Sequence, residues 1–360
     1  MSNLRIRTRP ALTLAIVGIL ALGACTGGDG SSPDGDGGNG GNGGGLSGAV
    51  FVSGSSTVEP ISRANAEKFS ASEGQVDISV EGPGTSDGFA LFCEGESDVS
   101  DASRQIDEEE IAICEENGIE YVELYVGIDG ITVMTSPEND AVSCLSFVDL
   151  WALLGPDAEG FASWTDAADL ADETAEASGG EFGESHAAEY PDTSLDVTAP
   201  GEESGTFDSF VEIALEDVGE AMGNEDVTTR PDYQSSADDN VIIQGIAGSE
   251  GSLGWVGFAY YEENTETVKA LEVDGGSGCV APSADAISSG EYPIARPLFV
   301  YVNTQAAEEN EAVAAFIDFY MSDDGRASVT EVGYVDIPDE DWQASVDAWT
   351  NRTTGIRYGQ

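Results

Sequence analysis

Apolar and polar positions alternate along this chain in a way that switches repeatedly between two periods. VFVSG (50–54) and VDISVEG (76–82) predict strands, and the segment between them carries Val58, Ile61, Ala64 and Phe69 on one helical stripe. Asp107–Glu116 predicts a second helix, with acids crowding its first turn as the helix dipole favours. YVELYVGIDGITVMT (121–135) is a long apolar run broken by Gly127 and Gly130, long enough to leave one sheet and enter another. CLSFVDLWALL (144–154) predicts a short helix, SLDVTAP (194–200) a strand, and GTFDSFVEIALEDVG (205–219) a helix. Residues 238–261 predict helix, turn and strand, YPIARPLFVYVN (292–303) a strand, and Glu308–Met321 and DEDWQASVDAW (339–349) the last helices. This alternation predicts α/β sheets. Two candidate crossing strands predict two lobes, one of about 46–130 plus 293–360 and one of about 131–292.

The first 25 residues belong to neither lobe. Arg5, Arg7 and Arg9 precede a short apolar run, Ala11–Leu22, which ends Leu22-Gly23-Ala24-Cys25. The run is too short to remain as a membrane-spanning helix. The tetrapeptide resembles a bacterial lipobox, which predicts removal of the leader and lipidation of Cys25. Residues 26–48 are almost wholly Gly, Ser, Asn and Asp and predict a flexible tether with a reach of about 25 Å. The expected location is extracytoplasmic, anchored to the cell membrane by lipid.

Charge narrows the partners. The 360 residues include 12 Lys and Arg against 69 Asp and Glu, a formal net charge of -57. Loss of the leader leaves nine basic residues and a charge of -60. Nucleic acid is excluded as a partner, because it demands a basic face. At about 1 M salt the Debye length is near 3 Å, so such a surface is screened, and it reads as adaptation to a saline habitat. Cys93, Cys114, Cys144 and Cys279 remain after export, an even number that predicts two disulfides. Three pairings exist; the short intervening loop favours Cys93–Cys114, and Cys144–Cys279 follows by elimination. There is no C-x-x-C, and the single histidine, His186, lies in a polar run expected to be a surface loop. No metal site, cofactor or histidine-based catalysis is expected.

One motif occurs three times. A strand ends, a small hydroxyl-bearing turn follows, and a helix opens: Gly54-Ser55-Ser56-Thr57, Gly84-Thr85, and Ser204-Gly205-Thr206. Glycine lets backbone approach a ligand, Ser and Thr offer hydroxyls, and the first helical turn offers N–H groups and the positive dipole end. Together these make an oxyanion site that needs little basic charge. The competing reading is that each hydroxyl merely caps its own helix. A fourth element, SDVSDASRQI (97–106), carries Ser103 and Arg104. A guanidinium grips an oxyanion through two parallel charge-assisted bonds, unless it is a surface arginine paired with an acid such as Asp101 or Asp107.

GSSTVEPI, GPGTSDGF, SDVSDASR, SGTF and SADDNVIIQGI, in this order behind a lipobox, resemble the substrate-binding protein of the bacterial phosphate ABC transporter. The resemblance spans nearly all of residues 50–350. It implies a two-lobed type II periplasmic-binding-protein fold, phosphate trapped in a central cleft, and delivery to the transporter's membrane subunits. Carried over by motif, Ser56, Thr57, Thr85, Ser103, Ser204, Gly205 and Thr206 would donate hydrogen bonds to phosphate. The best-known branch of the family has an arginine four residues before the third motif's serine, where this chain has Pro200, and an aspartate where it has Ser103. Arg104 is expected to supply the missing guanidinium. A carboxylate in the site would accept the proton of monohydrogen phosphate and repel sulfate; Asp101, Glu202 and Asp239 are candidates. The rivals are a receptor for sulfate, molybdate or a phosphonate, a secreted hydrolase, and an adhesive surface lipoprotein. The hydrolase lacks its nucleophile elbow, because Glu202 stands where that pattern needs glycine.

Overall fold

The computed structural model describes residues 46–202, 204–224 and 227–358. The leader, the lipobox with Cys25 and all but the last residues of the tether lie outside them. No helix among the described residues is long and apolar enough to cross a membrane.

β1 (Gly48–Gly54) and β2 (Val76–Glu81) pair in parallel and are joined by α1 (Glu59–Ser72). The buried face of α1 is Ile61, Ser62, Asn65, Ala66 and Phe69. Ala64, expected on the stripe, is only half-buried. The stripe turns because two polar residues are buried in its place, with Ser62 donating to Asp101 (2.8 Å) and Asn65 to the Ile61 carbonyl (3.1 Å). After α2 (Thr85–Cys93) comes β3 (Val99–Ala102), which the polarity pattern does not show: Ser100 and Asp101 are polar yet fully buried. α3 (Glu108–Asn117) opens with a capping box between Asp107 and Glu110, as its acidic first turn predicts.

The next segment holds β4 (Tyr121–Thr135), β5 (Cys144–Ser146), α4 (Phe147–Leu154), α5 (Ala168–Ser178) and β6 (Asp196–Ala199). α6 (Gly205–Phe210) runs through a π-helical turn, Val211–Leu215, into α7 (Glu216–Ala221). β7 (Gln234–Ser235), α8 (Asp239–Ala247), β8 (Ser252–Gly257) and α9 (Phe258–Glu262) follow, then β9 (Lys269–Ala270), β10 (Glu272–Asp274), β11 (Cys279–Val280) and α10 (Ala284–Ser288). β12 (Ala295–Asn303) returns the chain to α11 (Thr304–Glu309), α12 (Glu311–Tyr320), α13 (Asp323–Glu331) and α14 (Asp339–Asn351). The expected helix Glu308–Met321 is two helices, because the Asn310 side chain caps the second by accepting from Ala312 N–H (3.1 Å).

The main sheet runs β2-β1-β3-β12-β4-β8-β6-β7, with β9 also on β4. β4 is the strand that joins its two halves. Residues 121–130 pair with β12, and residues 131–135 pair with β8. All fifteen β4 residues are buried. Gly127 and Gly130 provide room: a Cβ on either would lie 2.9 Å from Val329 or 2.8 Å from Ile287. β12 is the second strand at this junction, antiparallel to both β3 and β4.

Cys93 is bonded to Cys114, tying α2 to α3, and Cys144 to Cys279, closing the small β11-β10-β5 sheet. The first bridge spans 21 residues and the second 135. Loop-closure entropy then assigns about 3 kcal/mol to the first and about 5 kcal/mol to the second. Urea denaturation of the two Cys→Ser double variants should show the larger loss for Cys144/Cys279; the reverse order would mean that native contacts, not loop length, set the difference.

His186 does lie in an irregular loop segment, just before a short 3-10 turn at Ala187–Glu189. It is half-buried, and its backbone N–H donates to the buried Asp149 carboxylate (2.9 Å), which also accepts from Tyr190 OH (2.7 Å). Its imidazole and the sulfurs of Cys144 and Cys279 lie within 4.8 Å of one another, but those sulfurs are bonded together and have no thiolate to offer a metal.

Candidate oxyanion-binding site

The three hydroxyl-bearing turns meet. Gly84 N–H donates to the Gly54 carbonyl (2.9 Å), which joins the first turn to the second. A Cβ on Gly88 would lie 2.4 Å from Gly54 Cα, so α2 rests directly on the end of β1. The third turn abuts the first: a Cβ on Gly205 would stand 3.2 Å from the Ser56 carbonyl oxygen and 3.5 Å from Thr57 Cα. Across the same junction Ser56 Oγ donates to Asp208 (2.9 Å) and Thr57 Oγ1 lies 3.0 Å from Ser209 Oγ.

Whether each hydroxyl only caps its own helix now has three separate answers. Ser204 does, accepting from Thr206 N–H (3.2 Å). Thr57 does not: its hydroxyl faces Ser209 and Arg296, and α1 has no side-chain cap. Thr85 does not either. It is the first residue of α2, whose N-cap, Gly84, has no side chain, so the N–H groups of that first turn face outward without a capping oxygen. Thr85 Oγ1 accepts from Ser103 N–H (3.2 Å) and lies 3.0 Å from Ser103 Oγ.

A cavity of about 580 Å³ opens on this wall, lined by Gly84, Thr85, Ser103, Arg104, Glu212 and Arg296 among others. The fork of Arg104 is closed on Glu110 (2.7 and 2.8 Å), its remaining Nη hydrogens reach the Ser86 hydroxyl (2.9 Å) and the Gln105 carbonyl (3.1 Å), and Asp107 is 3.9 Å away. Its guanidinium lies over Phe89 (5.5 Å). Arg104 therefore brings a fixed positive charge to the wall, with its parallel hydrogen bonds directed at a protein carboxylate.

Arg296 is the basic residue that pattern reading missed. It belongs to β12, where it is register partner to Asp129 of β4. Its Nη2 donates to Thr57 Oγ1 (2.9 Å) and Ser209 Oγ (2.7 Å), and its Nη1 pairs with Glu212. Nε is 3.8 Å from Asp129 Oδ2, and both of those atoms are buried without a hydrogen-bond partner. Burial raises the Asp129 pKa, and the neighbouring guanidinium opposes that rise. The available signal was scarcity, since Arg296 is one of nine basic residues beyond the leader.

The three acids considered as proton acceptors are dispersed. Glu202 is exposed and lines a different cavity of about 500 Å³ with Arg230 and Tyr233. Asp239 opens α8, where burial and Asp238 raise its pKa. Asp101 is buried behind the first turn: its carbonyl accepts from Ser55 N–H (2.8 Å), one carboxylate oxygen accepts from Ser62, and the other has no partner. The acids on the cavity wall itself are Asp87, Glu212 and Glu216.

Burial pushes the Asp101 pKa up to about 7, against the Ser62 hydrogen bond and with help from Glu59. Below pH 4 the folded and unfolded chains both hold this proton. Between pH 4 and 7 the unfolded chain releases it and the folded chain keeps it, so stability falls as pH rises and the penalty is complete above pH 7, at about 4 kcal/mol. Asp101→Asn removes the charge but leaves a buried amide unpaired, so a net gain of about 2 kcal/mol is expected at pH 8 and none at pH 4. Paired melts of variant and parent at both pH values check this; a gain independent of pH would rule out the buried charge as its source.

The sequence profile of the PBP superfamily domain matches residues 39–324. Protein SphX of Synechocystis sp. is 37% identical over 313 residues, covering 86% of this chain and 85% of SphX. The phosphate-binding protein PstS of Staphylococcus aureus is 30% identical over 336 residues, covering 93% of this chain and 90% of PstS. The crystal structure of a possible phosphate binding protein from Planctomyces limnophilus superposes with a TM-score of 0.73 at 34% identity, over 86% of this chain and 99% of that one.

Proposed function

Since the chain belongs to the PBP superfamily, and within it to the family of SphX and PstS, we propose that it binds inorganic phosphate outside the cytoplasm and hands it to an ABC-type importer. Its α/β fold is the two-lobed type II form of that superfamily. The family is one of substrate-binding proteins, not enzymes. The observation that carries the reading is the meeting of the three turns beside one cavity, whose lining takes Gly84 and Thr85 from the second turn and no residue from the first or third. Thr57 and the helix behind Ser204 are held by Arg296, and Arg296 lines that cavity with Thr85, Ser103 and Arg104. Hydroxyls, the uncapped N–H groups of α2 and two guanidiniums then surround a space large enough for a tetrahedral oxyanion.

The lobes divide where β4 changes partner, near Gly130 and Ile131, and where β12 begins at Ala295. Phosphate contacts supplied by both halves are complete only when the halves are closed, so phosphate shifts the population toward the form that the transporter's membrane subunits recognise. Ser56, Thr57, Thr85, Ser103 and the Ser204–Thr206 turn are the proposed hydrogen-bond donors. Lipidated Cys25 and the Gly-rich tether hold the protein at the membrane.

Bulk charge does not forbid this. The net charge of -60 acts at long range and is screened by salt, while the donors act at hydrogen-bond distance inside a drier cleft. Titration calorimetry with phosphate, sulfate and molybdate tests the assignment. Tight phosphate binding that excess sulfate does not relieve is expected. Equal competition by sulfate or molybdate would reassign the ligand.

A further inference from the structure

The helix that opens at Ser204 carries three side chains across to the opposite wall. Asp208 meets Ser56, Ser209 meets Thr57 and Arg296, and Glu212 meets Arg296. Their spacing of i, i+1 and i+4 puts all three within one arc of about 100° on the helix. The chain reaches Glu212 through the π-helical turn at Val211–Leu215, a distortion common at functional sites.

We propose that Arg296 binds the oxyanion directly, and that Glu212 is an internal competitor for its guanidinium which the oxyanion displaces. This rests on the phosphate reading above. Arg296 lines the same cavity as Thr85, Ser103 and Arg104, and its side chain is only 13% exposed. Two of its hydrogens go to hydroxyls, which fix the plane of the fork without neutralising it. Its Nε–H is buried over Asp129, and of its two Nη1 hydrogens only one is needed by Glu212, so Nη1 is the donor left for a ligand. By contrast, all four Nη hydrogens of Arg104 already have partners. Arg296 is thus the guanidinium with capacity to spare.

Glu212 is suited to leave. Its side chain is half-exposed, so returning it to water costs little desolvation. It also sits among like charges: burial raises the pKa of Asp208 and of Glu216, and the charge of Glu212 raises both further. A phosphate dianion offers several oxygens and two charges where Glu212 offers one, and its arrival frees the carboxylate from that crowd. Asp129 remains beneath, 3.8 Å from Nε, and keeps the guanidinium at the junction of β4 and β12 throughout.

Calorimetric titration of the full chain with inorganic phosphate tests both halves. Arg296→Gln should weaken binding about 100-fold or more, and Arg296→Lys, which keeps the charge without the planar fork, should recover only part of that loss. Glu212→Gln should tighten binding about fivefold, because a neutral amide competes less well for the guanidinium. Asp87→Asn removes a charge from the same wall without touching Arg296 and should give a clearly smaller gain; an equal gain would reduce the Glu212 effect to simple charge relief and overturn the competitor role. Parental affinity in Arg296→Gln, or unchanged or weakened binding in Glu212→Gln, overturns the proposal. Should Arg296→Gln fail to fold, the Glu212→Gln result decides alone. If the parent chain itself ignores phosphate, the fault lies with the phosphate assignment, which the parallel sulfate and molybdate titrations report separately.

Discussion

Arg104→Glu is expected to abolish phosphate binding, with a loss of about 1000-fold or more. The substitution moves the cavity wall by two charge units and leaves the new carboxylate facing Glu110, whose partner it has removed. A unit charge about 5 Å from a phosphate dianion is worth several kcal/mol even at an effective dielectric of about 20, so reversing its sign is enough. The fold should survive, because the Arg104 side chain is 40% exposed and losing its half-buried pair with Glu110 should cost only about 1–2 kcal/mol. Arg104→Lys separates charge from geometry. With the fork already spent on Glu110, lysine should cost no more than about tenfold. Calorimetry on both variants is the check. Retained affinity in Arg104→Glu would remove this residue from the site, and a collapse in Arg104→Lys would mean that the fork turns to the ligand.

Among single substitutions, the largest effect on stability should come from Gly54→Ala. Gly54 has φ +149°, a region that side chains rarely enter, and an added Cβ would lie 2.0 Å from the Asp101 carbonyl oxygen and 2.8 Å from Asp101 N. Neither atom can yield, because β1 and β3 are paired there and Ser55 N–H is bonded to that same oxygen. Backbone strain and a collision with a rigid neighbour together should cost about 4 kcal/mol or more. Gly84 is the control. It also has positive φ, at +115°, but a Cβ there meets nothing within 4 Å, so Gly84→Ala should lose only the strain, about 1–2 kcal/mol. Urea midpoints of the two variants give the comparison. Equal losses would show that the close approach of β1 to β3 does not constrain the turn.

Much of the fold could be read from periodicity, because its long elements bury one kind of face. The apolar run at 121–135 is a single strand that joins two sheet halves, and the last helix falls where DEDWQASVDAW puts it. β3 escaped because half of its four residues are polar, and only the tertiary setting of Asp101 and Ser62 makes burial tolerable. At the site, the turns were legible because glycine, serine and threonine carry a local geometric meaning. The cations and acids around them were not. Arg296 lies in an otherwise apolar strand, and its importance comes from Asp129, a partner 167 positions earlier that pairs with it across the sheet. Glu212 is one acid among 69, on a helix whose acids pattern alone reads as solvated. Only the tertiary contact with β12 sets it against a guanidinium.

The cysteines of the exported chain are joined first to second and third to fourth. A polypeptide threaded outward from its N-terminus therefore presents each thiol to an oxidant just before its correct mate arrives. Cys93 and Cys114 can close while the third cysteine is still in transit, and the later pair then has only one choice left. Biogenesis of these two bridges then needs an electron acceptor but no isomerase to undo mistaken cross-links among the four.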